Sequence, residues 1–113
     1  LNKSSGIKAE LVYEATGQAM DDDLKLNIYR IIQEQINNIV KHSCARNATI
    51  LVTPDRSDIQ IIITDDGKGF DLNRKRKGVG ISNIINRVES FNGKVQIESS
   101  AGNGCKMQVL LPF

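Results

Sequence analysis

Ile59-Gln60-Ile61-Ile62-Ile63-Thr64-Asp65-Asp66-Gly67-Lys68-Gly69-Phe70 is the stretch on which the fold turns. Residues 59–64 are rich in β-branched side chains and predict a strand. The unbroken run Ile61, Ile62 and Ile63 suggests burial on both faces. From Asp65 the chain turns polar and glycine-dotted as far as Gly80, a long loop leaving the end of a buried strand. Working outward, residues 48–53 (ATILVT) predict a preceding strand, joined through the turn Pro54-Asp55-Arg56-Ser57. Upstream, Leu24, Ile28, Ile31, Ile32, Ile36, Ile39 and Val40 recur at helical spacing, which predicts a helix from Leu24 to about His42. Asp21-Asp22-Asp23 suits its start, where carboxylates meet free N–H groups and the positive end of the helix dipole. Residues 7–14 read loosely as a first strand. Downstream, Ile81, Ile84, Ile85, Val88 and Phe91 predict a second helix, stopped by Asn92-Gly93. Residues 94–99 and 106–111 form a last strand pair around 101–104. The order β-α-β-β-loop-α-β-β implies an α+β two-layer sandwich, with a mixed, mostly antiparallel sheet and helices on one face.

The 113 residues and 12.5 kDa suit a single domain over 1–113. Apolar residues are 40% and charged residues 25%, with a mean hydropathy of −0.27, which argues against disorder. No apolar run approaches the roughly 20 residues of a membrane span. A net charge of +2 from 15 basic and 13 acidic residues does not point to nucleic acid. Cys44 and Cys105 form no CxxC pair and suggest no disulfide framework, so a reduced, cytoplasmic setting is the expectation. The start at Leu1, without an initiator Met or an apolar leader, reads as a segment of a longer protein.

Three groups of residues carry chemistry. Asp65 at a strand end can accept a hydrogen bond from an amino group such as that of adenine. Gly67 and Gly69 allow close backbone approach, though Asp-Gly and Lys-Gly are equally at home in a solvent-exposed turn. Lys77-Gly78-Val79-Gly80 feeds the second helix, a natural phosphate site because free N–H groups and the dipole favour anions. It is not a dinucleotide-binding fingerprint, since the third glycine fails at Asn83, and no P-loop is present. On the first helix, Glu34 and Asn38 lie one turn apart at the edge of the apolar stripe. Asn38 offers a neutral oxygen to a hard cation such as Mg²⁺. Glu34 could orient an attacking group, and Lys41 and His42 could meet phosphate oxygens. The alternative for all four is an ordinary solvated helix face.

Together these groups resemble the nucleotide-binding domain of the superfamily of gyrase, Hsp90, histidine kinases and MutL, and most closely the catalytic ATP-binding domain of bacterial sensor histidine kinases. Residues 34–42 (EQINNIVKH) look like the kinase N box, 65–70 (DDGKGF) like the D-x-G-x-G box, and 78–81 (GVGI) like the second glycine box. Ser82, Asn83 and Arg87 fit the helix that follows in this subfamily. The likeness spans about residues 24–112, and the ordered combination is far more specific than any one box. It implies the Bergerat-type ATP-binding fold, with ATP and Mg²⁺ as ligands. Asp65 would accept from the adenine amino group while Gly67 and Gly69 pass close to the base. Asn38 would ligate Mg²⁺, and Glu34 would sit by the phosphates, where ATPase members of the superfamily carry the water-activating base. Lys41, His42 and Lys77 would line the phosphate side, and Gly78 and Gly80 would hinge the lid over the nucleotide.

Two departures stand out. Cys105, after Gly102-Asn103-Gly104, replaces the usual threonine, and a thiol is a poor donor. The stretch between Gly69 and Gly78 is short and resembles the short-lid, nitrate-sensor-type kinases. No phosphoacceptor helix with a dimerising heptad pattern is present, and His42, the only histidine, lies inside the N box. The resemblance therefore implies three partners or partner states. The phosphoacceptor His would lie on an upstream dimerisation domain of the parent chain, and a response regulator receiver domain would take the phosphoryl group onward. The parent, whether or not membrane-anchored, would be a homodimer and this segment a monomer that does not phosphorylate itself. An anti-sigma-factor-type serine kinase and a non-catalytic module of the same fold are the alternatives.

Overall fold

The computed structural model describes residues 8–13, 22–43, 45–55, 57–67, 78–99 and 104–112. Strand β1 (Lys8–Tyr13) is followed by helix α1 (Asp22–Asn38), whose first turn carries Asp22 and Asp23. A π turn, Ile39–Ser43, extends the helix. Strands β2 (Asn47–Pro54) and β3 (Asp58–Asp65) follow, then helix α2 (Gly78–Ser90), β4 (Lys94–Ser99) and β5 (Cys105–Pro112).

The five strands make one sheet in the order β1-β2-β3-β5-β4. β2–β3, β3–β5 and β5–β4 pair antiparallel. β1 pairs parallel with β2, because α1 lies between them in the chain and a crossover returns the strand in the same direction. The sheet is thus mixed and mostly antiparallel, as expected.

Alternation along the strands shows which face is covered. Ala48, Ile50 and Val52, Ile59, Ile61 and Ile63, and Met107, Val109 and Leu111 are all buried. They form one core with Leu24, Ile28, Ile31, Ile36 and Ile39 from the first helical segment and Ile81, Ile84 and Val88 from α2. The helices pack on each other as well as on the sheet, and Asn27 Nδ2 of α1 donates to the Arg87 carbonyl of α2 at 3.3 Å.

Two expectations need correction. Ile62 is only half-buried, so the isoleucine run does not mark two-sided burial. Its side chain points away from the helices, and strand propensity alone put a third isoleucine there. The first helix is regular only to Asn38. Through the wider π turn Ile39 stays in the core while Val40, expected on the same stripe, is 39% exposed. Apolar spacing does not distinguish a 3.6-residue turn from a wider one.

The end of α2 is a Schellman cap. Gly93 N donates to the Val88 carbonyl at 2.9 Å and Asn92 N to that of Glu89 at 3.0 Å. The left-handed residue is Asn92, with φ 60. Gly93 is required for space instead: a Cβ there would come within 2.6 Å of the Leu110 carbonyl oxygen and of Leu111 Cδ2.

Candidate functional site

One row of residues crosses the sheet at the end where β3 runs into the Asp65-Asp66-Gly67 corner. Ala9, Ala48, Asp65, Cys105 and Ser99 are successive cross-strand neighbours. Ala48 and Cys105 are buried, whereas Asp65, two residues beyond the buried Ile63 on the same face, is half-buried. Asp65 therefore ends β3 just outside the fully buried core.

That position has an electrostatic consequence. Burial raises the Asp65 pKa above the usual 3.8. The N–H of Gly67, donating to Asp65 Oδ1 at 2.8 Å, works against the shift, and the charge of Asp66 adds to it. Oδ1 is thus engaged by the Gly67 N–H. Asp66 faces the other way and does a different job. Its Oδ1 accepts from the backbone N–H groups of Arg46 and Asn47 at 2.8 and 2.9 Å, and Oδ2 from Asn47 Nδ2 at 2.8 Å. These bonds hold its own pKa below the usual value and staple the Asp65-Asp66-Gly67 corner to the start of β2.

Cys105 sits beside Asp65 in this row. Burial, reinforced by the Asp65 charge, pushes its thiol up to about 11, against the opposing bonds from Ser99 and Gln35. At neutral pH it is a protonated, inert thiol. Gly104, just before it, has φ 72, and a Cβ there would fall on the Asp65 carbonyl oxygen. The glycine is what lets the start of β5 pass so close to Asp65.

The C-terminal end of α1 lies over the same row. Gln35, 2% exposed, places Nε2 within 4.0 Å of Cys105 Sγ. Asn38, half-buried, donates from Nδ2 to Gln35 Oε1 at 3.3 Å. Glu34, also half-buried, accepts at Oε1 from Asn83 Nδ2 of α2 at 3.2 Å. The structure thus links Asn38, through Gln35, to the end of the sheet that carries Asp65, Gly67 and Cys105, whereas Glu34 is tied to α2. Lys41 is exposed on the π turn, and His42 lies on the same turn, its side chain outside the described residues. Gly78 and Gly80 open α2. Gly69 and Lys77 lie outside the described residues.

The donor set bears on a cation. Among the described residues no group of three or more His, Cys, Asp and Glu could hold a metal alone. A single amide oxygen at Asn38 is instead the partial set that suits Mg²⁺, which keeps waters and takes substrate phosphate oxygens.

Gln35, the Asp66 staple and Ser99 were not singled out from the sequence. A signal existed for Gln35: it falls inside the stripe of Ile28, Ile31, Ile32 and Ile36, where a polar residue must find a buried partner. The Asp66 staple depends on register between β2 and β3, which no local pattern encodes.

The family model described as histidine kinase-, DNA gyrase B-, and HSP90-like ATPase matches residues 23–113. Among curated proteins, the sensor histidine kinase ComP of Bacillus subtilis is 38% identical over 94 residues, covering 80% of this chain and 12% of that protein. The signal transduction histidine-protein kinase/phosphatase UhpB of Salmonella typhimurium is 29% identical over 110 residues, 97% of this chain and 22% of that one. The chain thus spans between about an eighth and a quarter of the length of these relatives. Among solved structures, the histidine kinase domain of a blue-light activated histidine kinase from Erythrobacter litoralis superposes with a TM-score of 0.81 at 13% identity, over 95% of this chain and 52% of that one. The Acinetobacter baumannii histidine kinase AdeS gives 0.79 at 16% identity, over 98% and 56%. At such identities the likeness is one of fold.

Proposed function

Because the chain belongs to the histidine kinase-, DNA gyrase B- and HSP90-like ATPase family, we propose that it is the ATP-binding catalytic domain of a two-component sensor histidine kinase. The observation that carries the reading is the half-buried Asp65 at the sheet end. Its Oδ1 is held by Gly67, and the Gln35–Asn38 end of α1 lies over the same row. In this reading Asp65 Oδ2 accepts from the adenine amino group, and the Gly67 backbone borders the base. Asn38 Oδ1 would hold Mg²⁺, which would supply neutralisation of phosphate charge. Glu34 flanks the reacting phosphate, positioned by Asn83. Lys41, His42, Lys77, Gly78 and Gly80 meet the phosphates from the loop side.

The chemistry needs mainly positioning and charge neutralisation. The bond between the γ-phosphorus and the β,γ-bridging oxygen breaks and a P–N bond to an imidazole nitrogen forms. ADP departs and the imidazole loses its proton. The acceptor is a His on an upstream dimerisation domain of a longer protein, and the phosphoryl group passes next to an Asp of a response regulator receiver domain. The relatives' names support this reading: ComP and UhpB are a sensor histidine kinase and a histidine-protein kinase/phosphatase. No helix among the described residues is long and apolar enough to cross a membrane.

The test is a calorimetric titration of this chain with a non-hydrolysable ATP analogue, with and without Mg²⁺. Saturable 1:1 binding strengthened by Mg²⁺ is the expected result. No binding at millimolar ligand would refute the catalytic-domain reading.

A further inference from the structure

Gln35 is 2% exposed at a place on α1 where an aliphatic side chain would fill the same space with no hydrogen bonds to satisfy. Both ends of its amide are engaged. Nε2 faces Cys105 Sγ on β5, and Oε1 accepts from Asn38 Nδ2 one helical turn on. Asn38 itself is the last residue of α1, where the regular helix gives way to the π turn. Its carboxamide has two ends of nearly equal size and opposite polarity. Turned one way it offers an oxygen to a ligand, and turned the other way a pair of N–H donors that repel a cation.

We propose that Gln35 is a positioning residue that holds the Asn38 carboxamide with Oδ1, not Nδ2, toward a divalent cation. The inference rests on the reading of Asn38 as the cation's protein ligand. The hydrogen bonds run in one direction: Nε2 to sulfur, then Nδ2 to Oε1. Inverting Gln35 would put Nε2 against Asn38, forcing that amide to spend its oxygen inward and show Nδ2 to the site. Burial keeps Gln35 from exchanging either partner for water, and in the structure its Nε2 faces the Cys105 sulfur while Oε1 is left for Asn38. The far end of the relay is Cys105, the cross-strand neighbour of Asp65. One side-chain chain therefore connects the adenine end of the proposed site with its metal end.

The test measures affinity for the non-hydrolysable ATP analogue with and without Mg²⁺, and reads the ratio. In Gln35→Met the Mg²⁺ enhancement should fall about fivefold, the worth of one neutral hydrogen bond. In an Asn38→Asp background the same Gln35→Met change should leave the ratio where it was, because a carboxylate presents oxygen in either orientation. A packing role would move both backgrounds alike, and that result overturns the proposal, as does an unchanged ratio in Gln35→Met alone. Asn38→Ala separates the two levels: if it keeps the Mg²⁺ enhancement, the cation reading itself falls. Should Gln35→Met not fold, the wild-type chain still decides by NMR. Nuclear Overhauser contacts between the Asn38 amide protons and the Gln35 side chain are expected, and amide protons turned away from Gln35 would refute the orientation.

Discussion

Asp65→Asn should move ligand affinity and stability in opposite directions. The variant keeps an oxygen to accept from the Gly67 N–H, now at 2.8 Å from Asp65 Oδ1, so the corner is preserved. Its other atom becomes Nδ2, which in the proposed adenine contact would set a donor against a donor. The lost bond is charge-assisted, worth about 1.5–3 kcal/mol, so affinity for an ATP analogue should fall roughly tenfold to a hundredfold. Stability goes the other way. Burial is the first cause of the raised Asp65 pKa, so the native state binds the Asp65 proton more tightly than the unfolded chain does. Stability is therefore lost as pH rises from the usual 3.8 through the folded-state value, and at neutral pH the ionised carboxylate stands as a penalty on folding. Asparagine removes that penalty. Thermal unfolding at pH 7 should show a higher Tm for Asp65→Asn, and the difference should close below about pH 4, where both side chains are uncharged. Undiminished affinity would remove Asp65 from the adenine contact. A lower Tm at pH 7 would refute the desolvation account even if binding were lost.

Gly104→Ala should destabilise by more than about 2 kcal/mol, combining a left-handed φ of 72 with a Cβ that falls on a backbone oxygen. Because that oxygen belongs to Asp65, nucleotide affinity should fall with it, and a variant with unchanged Tm by calorimetry would contradict the register at this point. Cys105, its thiol pushed to about 11, should resist iodoacetamide at pH 8 in the folded chain and react in urea, as followed by peptide mass spectrometry. Its raised pKa also predicts that stability declines as pH climbs from 9.0 toward 11. Given labelled ATP, the chain alone should incorporate no label, and phosphoryl transfer to His42 would overturn the placement of the acceptor on another domain.

Much of the fold was legible because its core is written in two clean periods. Ile28, Ile31 and Ile36 repeat at the helical spacing, and Ile59, Ile61 and Ile63 alternate as a strand requires. Where both periods are satisfied at once, the reading fails. Ile39 and Val40 fit a continuing α-helix as well as a π turn, and only the burial of Ile39 beside the exposure of Val40 separates them. Ile62 likewise fits a two-sided strand until both helices are seen to occupy a single face. Strand order is a non-local property: that β5 inserts between β3 and β4 brings Cys105 against Asp65, residues 40 apart in sequence, and no short-range pattern anticipates it.

The candidate site shows the same division between what a residue is and what it touches. Asp65, Glu34 and Asn38 stood out because their types and spacings suit a nucleotide, yet the sequence says nothing of how each is held. Glu34 is tied to Asn83 on the other helix, Asp65 to a backbone N–H two residues on, and Asn38 to a buried glutamine. Each holder is itself uncharged, which is physically apt. A charged partner would neutralise Glu34 or Asp65 and remove the potential that a ligand amino group or cation must feel, whereas an amide or a peptide N–H fixes geometry and leaves most of the charge available. Asp66 makes the contrast inside one dipeptide. Next in sequence to Asp65, it spends both oxygens on Arg46 and Asn47 and has its pKa lowered, while Asp65 spends one and has its pKa raised. The carboxylate that builds the corner has its pKa lowered by its bonds, and the one beside it, shifted up by burial, is the one proposed to meet a ligand.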